Sequence, residues 1–181
     1  IVLRDNDERA IYEMLSALRI PIINGGNGAD EHPTQAMADI YALLKWRPEL
    51  CADHIEEKDR IKMGVVGVPS QMRTVRSLLT FLSMFASAFS AVVVISDVDD
   101  PFAPGQKEEL EKSGLKVTLS RDIDRELPSL DVVYINAIAW LGEGYEEYGN
   151  QFRLNKDSPL KPDAIILHPL ARGDELSPDL D

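Results

Sequence analysis

Short, nearly continuous apolar runs alternate along this chain with stretches whose apolar residues return every three or four positions. From residue 61 onward the runs are Met63–Val68, Ala91–Ile95, Leu115–Leu119, Val132–Ile135 and Ile165–Leu167. Runs so short and so uniformly apolar suit strands buried on both faces. Between them lie helical patterns: Val75, Leu78, Leu79 and Leu82, then Lys107–Ser113 closed by Gly114, a residue fit for a left-handed C-cap. Strands alternating with helices predict a doubly wound parallel α/β sheet, Rossmann-like, over residues 61–181.

The same rhythm precedes it. Ile1–Leu3 reads as the end of a buried strand, Glu8–Leu18 as a helix with Ile11, Leu15 and Leu18 on one face, and Ile20–Ile23 as a second strand. Asn24–Gly28 has turn composition. A further helix follows, with Met37, Ile40, Tyr41 and Leu44 as its apolar stripe, and ends before Pro48. Residues 48–60, "PELCADHIEEKDR", are polar and form the candidate boundary. The expected organisation is a partial second α/β domain over 1–32, an interdomain helix over 33–48 and the doubly wound domain over 61–181. A chain opening in mid-strand is expected to be a piece of a longer protein.

Composition narrows the partners. The 181 residues are 44% hydrophobic and 28% charged, ordinary for a globular chain with one sizeable core. Nineteen Lys and Arg against thirty-one Asp and Glu give a formal charge of -12, which argues against nucleic-acid and membrane partners. A small anionic substrate stays open, because a few arginines can outweigh the mean field inside a cleft. One cysteine, Cys51, and no Cys/His cluster leave neither a disulfide nor a zinc site to expect, and fit a cytoplasmic home. No apolar run reaches the ~18 residues that span a bilayer, and Ile1–Asp5 lacks the order of a signal peptide.

In parallel α/β sheets ligands sit beyond the carboxyl ends of the strands, which singles out four segments. "GVPSQMRTVRSLL", residues 67–79, is a strand-loop-helix without a dinucleotide or Walker fingerprint. Its Arg73 opens a helix, where a cation opposes the dipole, and so points either to an anionic ligand or to a surface ion pair. "ILHPLARGDEL", residues 166–176, turns at His168-Pro169-Leu170. Pro169 cannot donate, so the carbonyls of this turn could accept from an incoming amine, with Arg172 adding charge; a routine strand-ending turn is the alternative. The Ser96–Pro104 segment offers no motif, and "INAIAWLGEGYEEYGNQF", residues 135–152, is long enough for a lid or a partner-contact loop.

Outside the sheet, "NGGNGADEHPTQAM", residues 24–37, sets His32 before a proline suited to the first helical position. A His N–H donates to a polarised carbonyl, and the carbonyl of Gln35, one turn on, accepts from an amide NH2; together they would hold a carbamoyl or amide group by both ends. Spacing alone favours the plainer reading, a capped helix with an incidental imidazole.

Taken in order, "HPTQAMADIYALL", "GVPSQMRTVRSLL" and "LHPLARGDEL" resemble the His-Pro-Thr-Gln helix, the Gly…Arg-Thr-Val-x-Ser-Leu loop and the His-Pro-Leu-Pro-Arg-x-[DN]-Glu turn of the aspartate/ornithine carbamoyltransferase family. The resemblance spans essentially the whole chain and implies transfer of a carbamoyl group from carbamoyl phosphate to an amino-acid amine, without metal or other cofactor. It makes residues 1–32 the end of a carbamoyl-phosphate domain and 61–181 most of an amino-acid-binding domain. Arg4 and His32 are implied to stabilise the carbamoyl oxygen. Gln35, Thr34, Arg73, Pro169, Leu170, Arg172 and Asn136 are implied to bind substrate, Arg73 through the α-carboxylate.

The resemblance also implies a homotrimer, with regulatory chains as a further partner in some members, and places the family's Ser-Thr-Arg-Thr phosphate loop upstream of Ile1. Ala137 and Ala139 stand where aspartate enzymes carry Arg and Gln. Gly142-Glu143 fits the ornithine enzymes' loop, whereas Pro169-Leu170 fits the aspartate enzymes' turn. Aspartate is the leading acceptor; ornithine, another amine, or a non-catalytic amino-acid-binding relative are the alternatives.

Overall fold

Two parallel sheets organise the chain. The computed structural model describes residues 1–7, 10–136, 151–169 and 171–181. A two-stranded sheet pairs β1 (Val2–Asp5) with β2 (Ile23–Asn27) around α1 (Ala10–Ala17), and α2 (Pro33–Trp46) leads away from it. The second sheet contains β3 (Ile61–Val66), β4 (Phe89–Ile95), β5 (Val117–Ser120), β6 (Val132–Ile135) and β7 (Ile165–Leu167) in the order β5-β4-β3-β6-β7. Its pairs are all parallel. Helices α3 (Arg73–Met84), α4 (Gln106–Lys112) and α5 (Ile123–Glu126) occupy the crossovers. The strand order reverses between β3 and β6, which makes their carboxyl ends the switch point where a crevice opens.

Successive residues of one strand serve opposite faces. Met63, Val65, Val92, Val94, Val132 and Tyr134 pack with Leu43 of α2, Leu78, Leu79 and Leu82 of α3 and Leu110 of α4. Val66, Val93, Ile95, Val133 and Ile135 pack with Ile123, Leu127, Phe152, Leu154 and Leu176 on the other side. Both faces being covered is why these strands read as unbroken apolar runs. The doubly wound expectation holds, and Gly114 sits at φ +91 just past α4, as a C-cap glycine should.

The N-terminal part departs from its pattern in three ways. The second strand runs over Ile23–Asn27, not Ile20–Ile23. Pro21 offers no N–H to a ladder, whereas the Ile23 N–H donates to the Ile1 carbonyl at 2.8 Å. At Gly25 a Cβ would lie 3.2 Å from the Leu3 carbonyl oxygen, so residues of turn composition form the strand because they let the backbones close up.

The first strand is not buried: Ile1 and Val2 are 64% and 69% exposed, and along β1 exposed residues alternate with half-buried ones, so one face of the strand is left uncovered. The α2 stripe is also turned. Ala36, Asp39, Ile40 and Leu43 are buried while Met37 and Tyr41 are exposed, since the side of α2 that packs against α3 and the sheet includes a carboxylate. The polar segment 48–60 forms two 3-10 turns, Pro48–Cys51 and Glu57–Asp59, tethered by the buried Leu50 and Ile55. Among the described residues no helix is long and apolar enough to cross a membrane.

Leu78 is fully buried between α3 and the sheet. Leu78→Ala is expected to lower unfolding stability by ~2–5 kcal/mol, through lost burial and the cavity it leaves. Urea unfolding of the two proteins measures it; a shift under about 0.5 kcal/mol, the size of an ordinary surface change, would contradict this packing.

Candidate active site

The carboxyl ends of β1, β2, β3, β6 and β7 converge on one cleft of about 750 Å³. Arg4 on β1, Gly28 after β2, His32 and Gln35 at the start of α2, Arg73 and Thr74 at the start of α3, Asn136 after β6 and Pro169 after β7 line it. It therefore lies between the two sheets as well as at the switch point of the larger one.

The first two turns of α3 set its shape. Arg73, Arg76 and Ser77 share one helical face. The Arg73 guanidinium donates to the Gly28 carbonyl, Arg76 pairs with Asp30 at 3.2 Å, and Ser77 donates to the Glu31 carboxylate while accepting from the His32 N–H at 2.9 Å. Gly26 forms part of the wall behind these groups. Its φ of +118 suits glycine, and a Cβ there would lie 3.3 Å from the His32 ring and 3.5 Å from the Arg73 guanidinium carbon.

His32 is the N-cap of α2, and its Nδ1 accepts from the Gln35 N–H at 3.3 Å. The Thr34 hydroxyl lies 3.4 Å from the same nitrogen. A ring nitrogen that accepts carries no hydrogen, so in the neutral imidazole the proton sits on Nε2. Burial, then the charges of Arg73 and Arg4, push the His32 pKa below its usual value and favour that neutral form. The two readings of His32 thus use different atoms: Nδ1 caps the helix and Nε2–H is left as a donor.

Arg73 is itself depressed, first by burial and then by Arg4, so two guanidiniums give the cleft a positive character within an acidic chain. Gln35 Nε2 donates to Asp39 Oδ1 at 2.9 Å, and the Tyr134 hydroxyl donates to Asp39 Oδ2 at 3.2 Å. Asn136 Nδ2 donates to the Thr74 hydroxyl oxygen at 3.1 Å.

Of the residues singled out by sequence, Arg4, His32, Gln35, Arg73, Asn136 and Pro169 come together at the cleft, with Thr34 beside the His32 ring. Arg172 does not line it. Its guanidinium donates to the carbonyls of Leu176 and Ser177 at 2.8 and 2.6 Å and to Asp181 at 2.7 Å, bracing the segment behind the turn. Leu170, Ala137, Ala139 and Gly142-Glu143 lie outside the described residues.

Sequence reasoning passed over Asp39, Tyr134, Arg76 and Ser77. Three of them carried a local signal, Asp39 four residues after Gln35 and Arg76 and Ser77 three and four residues after Arg73, whereas Tyr134 lies inside an apolar run that marks only a strand.

The sequence model of the aspartate/ornithine carbamoyltransferase carbamoyl-P binding domain matches residues 1–45. The aspartate carbamoyltransferase catalytic subunit of Methanopyrus kandleri is 33% identical over 191 residues, covering 100% of this chain and 57% of the relative. That of Saccharophagus degradans is 34% identical over 179 residues, covering 95% of this chain and 51% of the relative. The chain belongs to the aspartate/ornithine carbamoyltransferase family.

Crystal structures of Trypanosoma cruzi aspartate transcarbamoylase carry the likeness to the level of the fold. The complex with aspartate and phosphate superposes with a TM-score of 0.81 at 26% identity, covering 99% of this chain and 56% of that one. The complex with N-(phosphonacetyl)-L-aspartic acid gives 0.78 at 26% identity, covering 99% and 57%. The chain spans about half the length of the curated carbamoyltransferase relatives it matches.

A histidine whose pKa is lowered by folding takes up protons more readily when unfolded. Its contribution to stability is therefore complete above the unfolded value near 6.5 and is lost as pH falls below it. The His32 ring signals in an NMR titration are expected to report a midpoint below 6.5, moving upward in Arg73→Gln as one positive neighbour is removed. A midpoint at or above 6.5 would contradict this electrostatic account.

Proposed function

We propose that this chain contributes to the active site of a carbamoyltransferase that moves the carbamoyl group of carbamoyl phosphate to the amine of an amino acid, with aspartate as the acceptor. The observation that carries the reading is the convergence of Arg4, His32, Gln35 and Arg73 on one cleft, with the His32 proton left on Nε2. The relatives' names and the aspartate held by the Trypanosoma cruzi enzyme support the choice of acceptor.

In this reading the amine attacks the carbamoyl carbon, the bond from that carbon to the phosphate oxygen breaks, and the proton shed by the amine leaves with phosphate. Negative charge grows on the carbamoyl oxygen as the carbon becomes tetrahedral, so donors fixed beforehand lower the barrier more than they favour the ground state. His32 Nε2–H and the Arg4 guanidinium take that part, and the Gln35 carbonyl accepts from the carbamoyl NH2. Arg73 receives the α-carboxylate of the acceptor, and the carbonyls of the Pro169-Leu170 turn guide its amine. Asn136 contributes a polar wall and Thr34 the setting of the imidazole, while Arg172 braces the turn from behind. The cleft between the sheets supplies proximity, since two small substrates must be held together.

Ala137 and Ala139 favour a second reading, in which the acceptor is ornithine or another amine without a second carboxylate, or in which the site binds an amino acid without turnover. In the same reading the enzyme is cytoplasmic and homotrimeric, acts in pyrimidine biosynthesis and can take regulatory chains as partners.

Phosphate release from carbamoyl phosphate, measured with the full-length protein against a panel of amino acids, tests the reaction and the acceptor together. Aspartate-dependent release is the expected result, and no release with any amino acid would refute it. His32→Ala is expected to lower kcat by about 10²–10³-fold, the scale of one lost oxyanion donor. Its cost in stability should be limited to the ~0.5–2 kcal/mol of a lost helix cap. Unchanged turnover would remove His32 from the reaction.

A further inference from the structure

Asp39 lies in the middle of α2, 5% exposed, on the buried side with Ala36, Ile40 and Leu43. Burial raises its pKa, so a charge at this place is costly and needs compensating partners. Both carboxylate oxygens have one. Oδ1 accepts from Gln35 Nε2 at 2.9 Å, and Oδ2 accepts from the hydroxyl of Tyr134, which is 0% exposed on β6. Burial and the Asp39 charge push the Tyr134 phenol up, which keeps it a donor.

The direction of the Gln35 contact follows from the donors available. A carboxylate has no hydrogen to give, so an amide can meet it only through its NH2. In a planar amide the carbonyl oxygen then points away from that partner. Gln35 lines the cleft, and its Oε1 is the polar atom left to face it.

We propose that Asp39 is a positioning residue: it fixes the Gln35 amide with its NH2 turned inward and its carbonyl oxygen presented to the NH2 of the carbamoyl donor. The inference rests on the carbamoyl-transfer reading of this cleft. Tyr134 ties the arrangement to β6, the strand that ends in Asn136. The Thr74 hydroxyl lies near enough to the phenol oxygen to favour its ionised form, and it accepts from Asn136 Nδ2 at 3.1 Å. The setting of Gln35 is thereby referred to the switch point of the larger sheet rather than to α2 alone. The charge-assisted bond to Asp39 selects the inward NH2, and the positive cleft lined by Arg4 and Arg73 favours the same outward carbonyl.

Asp39→Asn keeps the shape and removes the charge, leaving residue 39 able to donate to Gln35 as well as accept. Because the Asp39 pKa is raised by folding, its ionised form costs stability above the unfolded value, so the melting temperature of Asp39→Asn at pH 7 is expected not to fall. In the full-length protein kcat/KM for carbamoyl phosphate is expected to drop by at least about tenfold, the scale on which misplaced contacts act. The same substitution made on top of Gln35→Ala should change kcat/KM less than about twofold, because Asp39 acts through Gln35.

The Gln35 side-chain amide protons, followed by ¹⁵N NMR hydrogen exchange, give a readout without turnover. They should exchange slowly in the wild type and faster in Asp39→Asn. Exchange unaffected by the substitution, or a kinetic loss that adds in full to that of Gln35→Ala, would overturn the proposal. A wild-type protein that transfers no carbamoyl group overturns the reading beneath it, whereas the amide exchange decides whether Asp39 holds Gln35.

Discussion

Three side chains on one face of α3, Arg73, Arg76 and Ser77, hold the 28–31 loop against the carboxyl edge of the larger sheet. Their partners are a carbonyl, two carboxylates and, for Ser77, the His32 N–H as well. Contacts between charged groups and a partly buried backbone are stronger than neutral ones, and they lose much of their value if the geometry slips. The loop comes from the two-stranded sheet and ends in α2, so this grip relates one sheet to the other. Arg73 is both a holder of the loop and a wall of the cleft. The geometry of the ligand site and the joining of the two sheets are consequently one structural problem.

The legible part of the fold was the part covered on both sides. The runs of β3, β4 and β6 announced themselves because no polar face interrupts them, and β6 and β7 match their runs residue for residue. The edge strand β5 instead runs over Val117–Ser120 where the apolar pattern marked Leu115–Leu119, with Thr118 and Leu119 exposed. The two-stranded sheet was harder to read. Asn24-Gly25-Gly26 forms a strand there because close backbone approach matters more than strand propensity, and composition carries no mark of that.

For the site, Arg4, His32, Gln35 and Arg73 were legible through motif order. The residues that orient them were not. The apolar periodicity of α2 marks Met37, Ile40, Tyr41 and Leu44, whereas the residues actually buried are Ala36, Asp39, Ile40 and Leu43. A buried carboxylate acquires its meaning only from Tyr134, 95 residues away, and no local pattern contains that pairing.

The charge of the whole and the charge of the cleft have opposite signs. A chain with a formal charge of -12 presents a surface that disfavours anions, while Arg4 and Arg73 meet in one concavity. An anionic ligand is thus discouraged from adhering elsewhere and directed to one place. Bringing two guanidiniums together lowers the pKa of Arg73, a sign that they are held near one another before any ligand arrives. Electrostatic preorganisation of this kind is what a charge-developing reaction calls for.

His32 divides its ring between two employers. Capping α2 needs only an acceptor where Nδ1 now stands, and aspartate, asparagine or serine meet that need as well as imidazole does. Donation from Nε2 belongs to imidazole. A descendant that exchanged His32 for one of those smaller caps would keep the helix, the loop grip and the core, and folding near neutral pH would register little of the change. At this position the requirement of the fold and that of the proposed reaction are recorded in different atoms of the same side chain, Nδ1 for the cap and Nε2 for the donor.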